Sequence, residues 1–176
     1  GSVFGLFTLP EDVEPSLPVV LDFAGDELSE VNVNTRVQVL RRVDGHVVVP
    51  PDLLVRGLNG LKATFTSRIA ATGTPLTVYR DPADDRPYLY TLLVPADAHR
   101  LFPCFDQPDL RARFRLELDI PAAWTAVANT ARVEADDPKP KPVQQTLWRF
   151  APTKPLPTYL FAFACGPFAV AEEPHP

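Results

Sequence analysis

Apolar and polar residues alternate with period two along four stretches of the chain. Val31, Val33, Thr35, Val37 and Val39 alternate with Asn32, Asn34, Arg36 and Gln38, which predicts one strand over 31–39 with a dry and a wet face. Ala63, Phe65, Ser67 and Ile69 alternate with Lys62, Thr64, Thr66 and Arg68 in the same way. The cleanest case sets Phe114, Leu116, Leu118 and Ile120 against Arg113, Arg115, Glu117 and Asp119, and Pro121 ends it. A fourth stretch sets Thr146, Trp148 and Phe150 against Leu147 and Arg149. Shorter strands are predicted at Val19–Phe23, Thr77–Arg80 and Trp124–Ala128. Tyr88–Val94 is apolar and aromatic throughout, which predicts a strand buried on both sides, and Tyr159–Cys165 is a further apolar run.

The punctuation between these runs fits short strands. Asp44-Gly45, between Arg42-Val43 and Val47-Val48-Val49, is a hairpin signature. Pro10, Pro15 and Pro18 predict an irregular start to the chain up to Pro18. Ala96–Leu101 has room for one helical turn after Pro95, and no longer helix is predicted. The fold class that follows is all-β: a mostly antiparallel sandwich or open barrel of many short strands, with at most one or two short helical turns.

Composition sharpens this picture in three places. The 176 residues include 21 prolines, well above the usual share of about 5%. With only eight glycines and no low-complexity run, the prolines punctuate strands instead of marking disorder. The net charge of −5 argues against nucleic acid as a partner, and the Arg111, Arg113 and Arg115 row runs on into Glu117 and Asp119 as a solvated strand face. No apolar stretch approaches the roughly 20 residues of a membrane span, so no membrane partner is expected. With no targeting signal visible, the expected location is cytoplasmic, and Gly1-Ser2 reads as a cloning scar outside the fold. Ala135–Pro142 reads as an exposed, charged loop. Cys104 and Cys165 have no CxxC spacing; reduced thiols are the default, with a bridge between them left open.

The stiffest segment is the loop from Pro103 to Asp109. Pro103 and Pro108 fix their own φ and push Phe102 and Gln107 towards extended backbone. Asp106 is placed to fold its carboxylate back onto amides two residues on. Catalytic signatures are missing around it. His46, His99 and His175 show no HxH or HExxH spacing, and no GxSxG or phosphate-binding glycine loop occurs. His99 reads as a surface residue of the short turn, and Asp81, Asp84 and Asp85 as solvated turn-formers.

RLFPCFDQPDLRARF, from Arg100 to Phe114, resembles the R-x-F-P-C-F-D-[EQ]-P-x-x-[KR]-A-x-F signature of the zinc aminopeptidases related to aminopeptidase N. YLYT, PADA, DIPAAWTAVANT, WRFAPT and PTYLFAFACGPF are similar to the same family in order and spacing, between Tyr88 and Phe168. Residues 3 to 87 match it only in strand pattern. The resemblance implies the amino-terminal domain of such an enzyme over residues 3–171. That domain is a saddle-like β-structure preceding a thermolysin-like catalytic domain, and 172–176 would begin the inter-domain connection. The family's HExxH motif, distant glutamate ligand and GxMEN loop are not in this chain. The resemblance therefore implies no catalytic residue, metal site or cofactor here, with zinc in the full-length parent, and a chain that hydrolyses no peptide by itself.

The same resemblance implies two partners, the catalytic domain of the same polypeptide and the peptide substrate. A T-Q-x-E-P-like stretch lines the family's substrate pocket, and in register it falls on Thr91, Leu92, Leu93, Val94 and Pro95. Leu92 and Val94 are then pocket-wall positions that depart from the family's Gln and Glu. A carboxylate there pairs with the substrate's ammonium, worth about 1.5–3 kcal/mol when dry; valine does not. Arg100, Pro103, Phe105, Asp106 and Pro108 are expected to be structural, with Arg100 and Asp106 forming a clamp across the loop. The alternative is an aminopeptidase-like scaffold without zinc chemistry, used in protein–protein assembly.

Overall fold

The computed structural model describes residues 1–12, 14–133 and 144–171. Strands dominate, and the helical content among these residues is three single 3₁₀ turns at Pro51–Leu53, Ala98–Arg100 and Thr158–Leu160. The predicted loop at Ala135–Pro142 and the connection at 172–176 lie outside the described residues.

Among the described residues, four open sheets make the fold. The first runs β1 (Ser2–Leu9), β7 (Gly57–Thr66), β3 (Glu27–Val33) and β4 (Arg36–Gln38), all antiparallel. The second holds β2 (Val19–Asp22), β6 (His46–Val49) and β5 (Arg41–Val43). The third orders β12 (Thr125–Ala128), β15 (Phe163–Gly166), β10 (Pro87–Thr91), β9 (Leu76–Arg80) and β8 (Ile69–Ala70), with β8 and β9 its one parallel pair. The fourth comprises β11 (Glu117–Pro121), β14 (Gln145–Phe150) and β13 (Arg132–Val133).

Three apolar clusters fill the interior, two built mainly by inward-facing strand residues and one by residues of loops and a 3₁₀ turn. Leu21, Phe23, Val31, Val33, Val47, Val49 and Leu61 form the first, between the first two sheets. Ile120, Ala126, Phe150 and Cys165 form another between the third and fourth. Leu93, Ala98, Leu101, Phe102 and Phe161 fill the third, beneath the stiff loop. The Asp44-Gly45 turn joins β5 to β6 as its sequence predicts, with φ of 49° and 81° at the two residues.

The structure corrects several expectations. Residues 2–9 are a regular strand, and its ladder extends to Gly1, whose amino group meets the Phe65 carbonyl at 2.7 Å. Gly1-Ser2 therefore belongs to the fold, and the irregular segment is confined to the prolines that follow. The 31–39 stretch is a hairpin rather than one strand. Asn34 and Thr35 turn it at φ of 48° and 73°, a left-handed conformation that asparagine tolerates well. The strand predicted over 113–120 is regular only from Glu117. Upstream, Ala112 bridges Leu156 and Phe114 shares bonds with Thr153. Tyr88–Val94 is buried on one face only, since Tyr90, Leu92 and Val94 are exposed. Within Tyr159–Cys165, a 3₁₀ turn precedes the strand.

Candidate functional site

The segment from Thr91 to Pro108 connects the third sheet to the first two. Thr91 ends β10 with its hydroxyl against the Phe163 backbone, accepting from the amide at 3.1 Å. Leu93 then turns inward, 2% exposed, and its carbonyl accepts from the Asp97 amide. Its neighbours cannot follow it. Leu92 and Val94 project outward at 58% and 57% exposure, two apolar side chains flanking a buried one. The Val94–Pro95 peptide is cis.

Past the 3₁₀ turn at Ala98–Arg100, the loop is bolted to β2. Cys104 and Asp22 exchange both backbone hydrogen bonds, at 2.8 and 3.1 Å. Asp22 also uses its side chain, with Oδ2 accepting from the Asp106 amide at 2.9 Å and Oδ1 meeting His46 Nδ1 at 2.9 Å. Pro103 is buried, Pro108 is exposed at the outer bend, and Phe105 reaches the first core, its ring edge-on to Phe7 at 5.5 Å.

Asp106 is the centre of this bolt. Its side chain is only 4% exposed. Oδ2 accepts from the His99 amide at 3.1 Å and meets His99 Nδ1 at 2.7 Å, while Oδ1 accepts from the Thr158 hydroxyl at 2.5 Å. Burial by itself raises the pKa of this carboxyl. The hydrogen bonds from Thr158 and from the His99 ring and amide, with the charge of His99, outweigh it and hold the group below the ordinary value. The carboxylate thus reaches back seven residues and forward to a distant turn, not onto amides two residues on. Pro108, which occupies that position, has no N–H to offer.

His99 is accordingly a partner of the loop, not a surface residue. Arg100 does not clamp Asp106; it donates to Asp97 Oδ1 at 3.1 Å and to the Gly73 carbonyl at 2.8 Å. Sequence reasoning missed Asp22 and Thr158. Asp22 left one faint signal, a lone carboxylate inside the apolar run Val19–Phe23.

The side chains around the loop are held in structural contacts. Burial, together with the charges of Asp106 and Asp22, pushes the Cys104 thiol far up, so it stays protonated and non-nucleophilic. Both cysteines are free thiols. Among the described residues no group of three or more His, Cys, Asp or Glu side chains is placed to hold a metal ion. Among the described residues, no helix is long and apolar enough to cross a membrane.

Fold and loop together define an all-β module in which a proline-bounded loop ties separate sheets together. Residues 25–160 match the family profile described as the Peptidase M1 N-terminal domain, and the chain belongs to that family. It is 32% identical over 150 residues to an aminopeptidase N of Streptomyces lividans, covering 84% of this chain and 16% of that protein. A probable M1 family aminopeptidase 1 of Encephalitozoon cuniculi is 35% identical over 120 residues, 65% of this chain and 11% of the relative. Human aminopeptidase Q is 33% identical over 92 residues, 52% of this chain and 9% of the relative. The chain therefore spans a small fraction of the length of each of these relatives. The family match begins at residue 25, well upstream of Tyr88, where the quoted motifs give way to strand pattern.

Proposed function

We propose that this chain is the non-catalytic amino-terminal domain of a zinc-dependent aminopeptidase, an enzyme that removes amino-terminal residues from peptides. It supplies one wall of the substrate pocket and packs on the catalytic domain of the same polypeptide. The observation that carries this reading is the protruding pair Leu92 and Val94, exposed on either side of the buried Leu93. An exposed apolar pair beside a bolted loop is a surface made to be covered, and the loop fixes where it sits. Metal and proton-transfer groups belong to parts of the parent outside this chain.

Both wall residues are apolar, so this wall offers the substrate's ammonium no counter-charge. The pocket it lines favours apolar first residues, with amine recognition carried by the catalytic domain. Val94→Lys in the parent enzyme tests this by setting a like charge beside that ammonium. It should raise KM for a leucyl amide by about tenfold, the scale of one charge-assisted contact. Val39→Lys, at a site 94% exposed in the first half of the chain, should leave KM unchanged. Equal effects from both would remove Val94 from the pocket. A zinc-reconstituted parent with no peptidase activity would instead favour the scaffold reading, to which the apolar wall also lends itself.

A further inference from the structure

The outward face of the third sheet carries an open groove of about 420 Å³. Tyr79, Tyr88, Tyr90 and Phe168 supply its rings, and Asp81 is the one charged residue in its lining. Tyr79 and Tyr88 are direct cross-strand partners on β9 and β10, with ring centroids 6.4 Å apart. The Tyr88 ring lies over Gly166, where a Cβ would come within 2.8 Å of it. The Phe168 amide donates to the Gly166 carbonyl at 2.8 Å, which folds the chain so that the Phe168 ring meets Tyr88 at 5.2 Å.

The charges around the β9–β10 turn are unevenly matched. Asp84 pairs with Arg86 at 3.0 Å and Asp85 with Arg80 at 3.6 Å. Asp81 uses Oδ1 to accept from the Ala83 amide at 2.9 Å, and among the described residues no cationic side chain pairs with it. Of the three carboxylates, the one that lines the groove is the one with no cationic partner among the described residues.

We propose that this groove docks one basic side chain, an arginine or lysine carried by a protein partner. The rings of Tyr79, Tyr88 and Phe168 surround the cation and the Asp81 carboxylate is its counter-charge. Aromatic rings attract cations through the negative potential of their faces, and a carboxylate in the same lining adds to this. A purely apolar occupant would strip water from Asp81 without replacing it, which is unfavourable. Anionic occupants are repelled by the same group. The groove is open, so the apolar stem of a long basic residue has room to lie along Tyr90 and Ala164.

The test is a titration of the 176-residue chain with N-acetyl-arginine amide, N-acetyl-lysine amide and N-acetyl-norleucine amide, followed through the ring proton resonances of Tyr79, Tyr88 and Phe168. The cationic probes should give saturating shifts and the neutral probe should not. Tyr79→Leu should weaken cation binding by about two- to fivefold. Asp81→Asn keeps an oxygen for the Ala83 amide, so the turn survives while the charge is lost, and the cation response should fall more steeply than for the Tyr79 variant. Equal shifts from the neutral probe, no shift from any probe, or an Asp81→Asn response equal to that of the unmodified chain would each overturn the proposal.

Discussion

Asp106 shows how much one side chain can hold. It ties His99, Thr158 and, through its own amide, Asp22 into one junction, and each partner sits on a different segment of the chain. Asp106→Ala leaves the buried Thr158 hydroxyl and the half-buried His99 amide without their acceptor, at a cost of about 2–3 kcal/mol. Asp109→Ala, on the exposed end of the same loop, should stay within about 0.5 kcal/mol of the parent sequence. Urea unfolding midpoints compare the two directly. The pH dependence has a definite sign. The folded pKa of Asp106 lies below its unfolded value, so its contribution is complete above the ordinary carboxylate pKa of about 3.9 and disappears as pH falls through the folded value. The gap between the Asp106→Ala variant and the unmodified chain should therefore be wide at neutral pH and close in strong acid. A gap that stays constant down to acid would mean the ionised carboxylate is not what stabilises the loop. The sequence offers a stiff loop with a carboxylate in it, but not the partners. Local chemistry suggested Arg100, and the chain path supplied His99 and Thr158 instead.

At the scale of elements, the β3–β4 hairpin explains why a clean alternating pattern can mislead. A two-residue turn at Asn34-Thr35 pairs Val33 with Arg36 and Asn32 with Val37. Odd-numbered residues point inward before the turn and outward after it, which leaves Val37 and Val39 in solvent although the period never breaks. What fixes the turn is side-chain hydrogen bonding that periodicity does not register. Asn34 donates to Asn59 Oδ1 at 2.8 Å and accepts from the Gly60 amide at 2.9 Å. Asn59, fully buried, also bonds the Val55 amide and the Val55 and Gly57 carbonyls. Asn59→Ala should destabilise the chain by about 2–3 kcal/mol, while Asn34→Gly, which keeps the positive φ and loses the bonds, should cost about half of that. Equal, small effects in thermal unfolding would show that the strands hold the turn unaided. The hairpin at Asp44-Gly45 was legible because its turn residues are themselves the signal. Ser2–Leu9 was not, because Phe4 and Leu6 make both of its faces apolar and hide the alternation.

For the whole molecule, the three apolar clusters and the loop between them account for the interior, and what remains is how the sheets end. Among the described residues, β1 is the outermost strand of the first sheet and pairs along one side only, with β7. Its eight residues contain no charge and no proline, the two features that most often keep an edge strand from pairing with another chain. The opposite edge of that sheet, β4, is three residues long and includes Arg36. Outward on the long edge stand Phe4 and Leu6, at 68% and 59% exposure, with Leu58 on β7 beside them. The 176-residue chain should therefore self-associate through β1 as its concentration rises. Leu6→Lys is the discriminating change. Leu6 is solvent-facing and paired opposite Gly60, so a lysine costs the monomer about 0.5 kcal/mol or less while placing repelling charges where two edges would meet. Sedimentation velocity across a concentration series should show larger species for the unmodified chain and a predominantly monomeric boundary for the variant. The same distribution for both would mean that this edge is not where copies of the chain meet.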